Sequence, residues 1–153
     1  SYGGAVVGIA ETYGLDADRV MHVESAGMGN DVGSINDYRP VNPDVRRYSM
    51  TAPGDPIAHV QGADIGSLGH GADPDLMEGV TRLYTGNYED GTPVEGTSAH
   101  GGVFNARSDS WKNMYEVFTG GTVQVRPPDT VTNTRYGPIT APSTAAPTPL
   151  DIP

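Results

Sequence analysis

Between residues 4 and 13 the apolar side chains Ala5, Val6, Val7, Ile9 and Ala10 fall on nearly every side of a helical wheel, which predicts a helix buried on both sides. Gly14 then supplies a left-handed stop. Residues 15–18 turn into Arg19-Val20-Met21-His22-Val23, a short run with β-branched positions that predicts a strand and places His22 in the core. Helix, tight turn, strand is the rhythm of a parallel α/β sheet. A polar loop rich in Gly, Asn and Asp follows over 25–44. Residues 45–50 read as a second strand, closed by the turn signal Thr51-Ala52-Pro53-Gly54-Asp55-Pro56, and residues 80–85 as a third. In the last helix Ser108 is the predicted N-cap and Asp109 suits the first turn. Trp111, Met114, Tyr115 and Phe118 share one face and read as core packing, and Gly120-Gly121 ends the helix.

Beyond Val125 the pattern changes. Pro127-Pro128 and then Pro138, Pro142, Pro147, Pro149 and Pro153 alternate with Thr, Ala and Ser, a composition that predicts an extended tail laid over a partner. The division expected is therefore a domain over 1–121 and a tail over 122–153. The 153 residues suffice for one core, yet only 36% are hydrophobic while 21 are Gly and 13 are Pro. That balance points to a domain completed by another chain.

A formal charge of -10 argues against nucleic acid or an anionic membrane surface as the main partner, because both require clustered Lys and Arg. Absence of cysteine excludes disulfides, thiolate metal sites and a cysteine nucleophile. No apolar run reaches transmembrane length, and no signal peptide opens the sequence given. Compartment stays open, with secretion or the cell envelope favoured over the cytoplasm.

Three side chains carry the candidate chemistry. Ser1-Tyr2-Gly3-Gly4 matches the second half of the G-x-S-x-G turn that exposes a nucleophilic hydroxyl. Asp55 falls just past the carboxyl end of the second strand, and His100 lies in a loop beyond the third. Ser, acid, His is the chain order of α/β-hydrolases. In that scheme His100 takes the proton of Ser1, Asp55 fixes the imidazole tautomer, and the Tyr2 backbone N–H is one oxyanion donor. Tyr38, Ile57, Val60 and Tyr88, on loops at the same edge, are candidate lining of an acyl pocket. His59 and His70 flank Asp64 and Asp73 without a metal-binding spacing, and Asn30-Asp31 and Asn36-Asp37 lack the EF-hand pattern, so no metal and no cofactor is expected.

Ser1-Tyr2-Gly3-Gly4, residues 23–29, Gly54-Asp55-Pro56-Ile57-Ala58 and the region from His100 through residues 108–114 together resemble the C-terminal half of an actinobacterial α/β-hydrolase family of largely unassigned function. The resemblance covers roughly residues 1–121. It implies the C-terminal part of an α/β-hydrolase fold, a mainly parallel sheet flanked by helices and incomplete without an N-terminal partner chain, with Ser1, Asp55 and His100 at the triad positions. The activity implied is hydrolysis of carboxylic esters, such as lipid or polyester acyl groups, once the chain is paired with an N-terminal half that ends near Ser1. Two alternatives stand beside it. One is a self-cleaved N-terminal-nucleophile amidase using the amine of Ser1; the other is a non-catalytic structural or binding subunit.

Overall fold

The computed structural model describes residues 2–63 and 69–153. A three-stranded parallel sheet sits at the centre, in the order β1 (Arg19–Val23), β2 (Arg46–Met50), β3 (Val80–Arg82). Arg19 is opposite Arg46 and Val23 opposite Met50, while Arg47 is opposite Val80. The remaining strands are antiparallel. β4 (Gly121–Val125) pairs with β7 (Thr148–Ile152), and β5 (Thr130–Thr134) with β6 (Gly137–Ala141). A bridge from Leu83 to Val125, with Tyr84 N–H donating to the Gln124 carbonyl, joins β4 to the end of β3.

This corrects the fold expected from the sequence. An α/β-hydrolase half requires a parallel sheet covered by crossover helices, whereas four of the seven described strands are antiparallel and the described helices number three, α1 (Tyr2–Thr12), α2 (Ala99–Gly102) and α3 (Asp109–Thr119). The reason lies in the connections. Among the described residues, the links β1 to β2 and β2 to β3 contain only short 3-10 turns, Ile35–Asp37 and Pro56–His59. Their Gly, Pro, Asn and Asp residues favour turns over helix.

The segment after Val125 is extended, as strands are, but it doubles back onto the domain. Val123 and Ile152 are buried in one cluster with Tyr48, Met50, Leu83, Met114 and Val117, under α3. The Arg19 guanidinium donates to the carbonyl oxygens of Pro153 and Val117, holding the end of β7 beside β1. Asn113 closes the junction: its Nδ2 donates to the Tyr84 carbonyl at 2.8 Å, and its Oδ1 accepts from Gln124 N–H at 2.7 Å. Ser108 caps α3 by accepting from Trp111 N–H.

Helix α1 is not buried on both sides. Its inner face is made of small and charged residues, because a Cβ on Gly4 would overlap Ser25 Oγ and one on Gly8 would overlap the Met28 carbonyl. Only glycine permits that approach. Glu11 completes the face, meeting Arg47 of β2 at 2.6 Å with both side chains buried. Tyr2, Val6 and Tyr13 are exposed. The aromatic stripe of α3 likewise divides: Met114 is buried, whereas Trp111, Tyr115 and Phe118 are exposed. No helix among the described residues is long and apolar enough to cross a membrane.

Two measurements test this account. Arg47→Met strands a buried carboxylate and should cost about 3–5 kcal/mol, while Glu11→Leu with Arg47→Met should return to near parental stability in urea denaturation. His22, buried with neither ring nitrogen hydrogen-bonded to a described residue, has its pKa lowered to about 4 by burial and by the nearby Arg47 charge. The unfolded chain therefore binds this proton near pH 6.5 and the native chain only near 4, so the associated stability is full above 6.5 and is lost as pH falls to 4. Relative to His22→Gln, the parent should lose about 3 kcal/mol over that interval.

Candidate active site

The carboxyl ends of β1 and β2 bring the polar residues together. After Met50 the chain passes Thr51 and Ala52 into a turn at Pro53-Gly54, where Gly54 has φ +75° and the Pro53 carbonyl accepts from Gly96 N–H at 2.8 Å. Asp55 follows as the N-cap of the 3-10 turn Pro56–His59, its Oδ1 accepting from Ile57 N–H at 2.8 Å. One carboxylate oxygen is thus committed to the backbone. The other faces α2.

Helix α2 is short, and packing rather than length holds it in place. Ala99 and Val103 are buried against Ala52 and Val94, with Val23 and Tyr88 at the margin. Ser110 Oγ donates to the Val103 carbonyl at 2.8 Å, which ties the end of α2 to the start of α3. His100 projects from this anchored turn, its Nδ1 2.9 Å from Asp55 Oδ2. A carboxylate only accepts, so in the neutral ring Nδ1 carries the hydrogen and Nε2 keeps its lone pair. Asp55 is 2% exposed and the His100 side chain 40%. A buried acid orienting a solvent-reaching base is an arrangement suited to proton transfer.

Glu24 is the residue that sequence reasoning gave no role. It follows β1 directly with φ 45°, is 1% exposed, and its Oε1 accepts from Ala52 N–H at 2.8 Å. A carboxyl oxygen of Glu24, one of Asp55 and a ring nitrogen of His100 all lie within 4.8 Å of one another. Burial raises the Glu24 pKa to about 8; the Ala52 N–H bond opposes this, while the facing Asp55 and the charge of Asp75 add to it. The signal that could have found it is its position. An acidic residue immediately after a buried parallel strand stands at the sheet edge where ligands bind. Two carboxyls and an imidazole are also a set able to approach a cation, but Asp55 Oδ1 and Oδ2 and Glu24 Oε1 already have hydrogen-bond partners here.

Of the other sequence candidates, Ser1 lies outside the described residues, as does Asp64. Tyr2 is the first residue of α1, so its N–H belongs to the helix's first turn, which has no intrahelical acceptors. That turn packs against the loop following Glu24, through Gly4 on Ser25 and the Gly27 carbonyl. Ile57 and Val60 are on the Asp55 turn, with Val60 exposed. Tyr88 packs beside α2, its hydroxyl against Gly102. Tyr38 is elsewhere. It is buried with Met28, Val32 and Met77, under the Arg47 guanidinium at 4.7 Å, because its ring completes that second core cluster. Asp37 accepts from Gly33 and Ser34 N–H in a surface turn, which lowers its pKa.

Compared with protein-family models, curated proteins and solved structures, the chain finds no match in any of the three.

If Asp55 orients His100 as the distance indicates, the Nδ1–H proton of His100 should give a downfield, exchange-protected resonance. Asp55→Ala should abolish it and leave the ring exchanging with water, as read by proton NMR of the full chain.

Proposed function

We propose that the chain is the base- and acid-bearing part of a serine hydrolase acting on carboxylic esters, with Ser1 as nucleophile, His100 as general base and Asp55 as its orienting acid. The observation that carries the reading is the 2.9 Å contact between His100 Nδ1 and the buried Asp55 carboxylate, beneath an imidazole that reaches solvent. Packing of the first turn of α1 on the loop after Glu24 supports it, since Ser1 directly precedes that turn in sequence.

In this mechanism the Ser1 hydroxyl attacks the ester carbonyl as His100 Nε2 takes its proton. The oxyanion of the tetrahedral adduct accepts from Tyr2 N–H. Collapse expels the alcohol, which receives the proton from His100, and leaves an acyl group on Ser1. Water, deprotonated by the same nitrogen, then releases the acid and restores the serine. Asp55 accepts from Nδ1–H throughout and stabilises the imidazolium at each transfer.

The reading includes a partner polypeptide that supplies a second oxyanion donor. The exposed apolar residues Tyr2 and Val6 of α1, Tyr13 just past its end, and Tyr115 and Phe118 of α3 support a partner surface. They serve equally the alternative of a non-catalytic binding subunit, which an active-site probe separates.

A fluorophosphonate should label the protein, with its partner present, at Ser1 by peptide mass spectrometry, and labelling should vanish in Ser1→Ala. His100→Ala should lower turnover of a p-nitrophenyl ester by about a thousandfold or more. Turnover retained in His100→Ala rejects His100 as the general base. No labelling, with the Asp55–His100 contact intact, rejects the enzyme reading.

A further inference from the structure

We infer that Glu24 is a positioning residue of this site, standing as a neutral carboxylic acid whose Oε2–H donates to the Asp55 carboxylate and so fixes the acceptor that His100 uses. One oxygen of Glu24 is an orphan. Glu24 Oε2 is buried, and as a carboxylate oxygen it has no donor among the described residues, while a carboxyl oxygen of Glu24 and one of Asp55 lie within 4.8 Å of each other. Two ionised carboxylates at that separation repel and leave the orphan unsatisfied. One proton resolves both problems. With Oε1 accepting from Ala52 N–H and Oε2–H donating to Asp55, every polar atom of Glu24 is used.

The surroundings hold the proton in place. Among the described residues the groups acting on Glu24 are Asp55 from the turn after β2 and His100 from α2, both close to it, and the charge of Asp75 from the segment before β3, which is paired with Arg82 at 3.0 Å. The loop that packs against α1, over residues 25–27, contributes no charge. Two acidic neighbours and near-complete burial all favour the neutral form, consistent with a pKa near 8. The backbone supports the same geometry, because Glu24 N–H still donates to the Met50 carbonyl in the sheet ladder while φ 45° ends the strand at that residue.

A pH limit follows for the site. Above about 8 the proton leaves, attraction between Glu24 and Asp55 becomes repulsion, and the acid that orients His100 loses its support. Gln at position 24 reproduces the acid's pattern without titrating: its Oε1 can accept from Ala52 and its Nε2 donate to Asp55. The catalytic consequence rests on the proposed hydrolase reading, whereas the protonation itself does not.

The experiment is carbon-13 NMR of the full chain labelled at glutamate carboxyls, with EDTA present, followed by turnover of a p-nitrophenyl ester in the presence of the partner. The Glu24 carboxyl should titrate near pH 8, and the His100 ring resonances should show an inflection at the same pH that Glu24→Gln removes. In turnover the parent should fall about tenfold between pH 7 and 9 relative to Glu24→Gln. A Glu24 carboxyl that titrates below pH 6 in the parent overturns the inference whether or not the variant folds, and so does a His100 inflection that survives in Glu24→Gln. Titration near pH 8 with no esterase activity at any pH upholds the Glu24 arrangement and rejects the hydrolase reading alone.

Discussion

The position of α1 depends on one buried ion pair, Glu11 with Arg47. Taking both charges out of water costs several kcal/mol, which their mutual attraction returns only when each is well placed. Arg47 is held for this by its β2 backbone and by the Tyr38 ring beneath it. Burial raises the Glu11 pKa and the arginine pulls it back, so the helix end carries a carboxyl whose charge is favoured only while the pair is made. At the other end of α1 the constraint is steric. Gly4 and Gly8 let the helix backbone lie directly on the loop after β1. A charge at one end and the absence of side chains at the other place its first turn beside the residues that follow β1.

The same sheet solves the problem of buried acids in two ways. Asp55 remains an acceptor because a backbone N–H and an imidazole N–H reach its two oxygens. Glu24 has one such donor, from Ala52, while its other oxygen is buried with no donor among the described residues. The difference follows from where each strand ends. β2 leads into a Pro-Gly turn that presents free amides of a new 3-10 turn to Asp55, while β1 stops at Glu24 itself, one residue beyond the strand, with the ladder still occupying its own N–H. Position within the same edge thus separates an acceptor from an acid.

Much of this was legible along the chain. The strands expected at 19–23 and 45–50 are bounded by turn residues, and the structure has β1 at Arg19–Val23 and β2 at Arg46–Met50. Ser108 announces α3, and Pro53-Gly54-Asp55-Pro56 announces the turn that carries the acid. The inner face of α1 was not legible, because hydrophobic periodicity reads apolar residues as interior and here glycine and a charged residue lie inside. The loop position of Tyr38 suggests the catalytic edge, yet its ring packs in the second core cluster, because core packing decides where an aromatic ring goes. The return of β7 onto β4 is a long-range pairing across a Pro- and Thr-rich stretch, so no local window contains both partners. Fold class is missed for a related reason: the helix, turn and strand over residues 4–23 imply crossover helices on a parallel sheet, and only the composition of the loops between the strands argues otherwise.

A rigid polar cluster and a soft apolar groove draw on neighbouring positions of the chain. Val23 precedes Glu24 and Phe104 follows α2, and both line one groove with Met21, Trp111 and Phe118. Hydrogen bonds fix Asp55, Glu24 and the end of α2 from below, where directional bonds in a dry interior hold side chains in single orientations. The groove is lined largely by methionine and aromatic side chains, which adapt to shape without specifying it. Orientation of the imidazole therefore comes from the polar cluster. A substitution in the groove and one beneath His100 should act on separate properties, because no hydrogen bond found among the described residues connects the groove side chains to the Asp55–His100 pair.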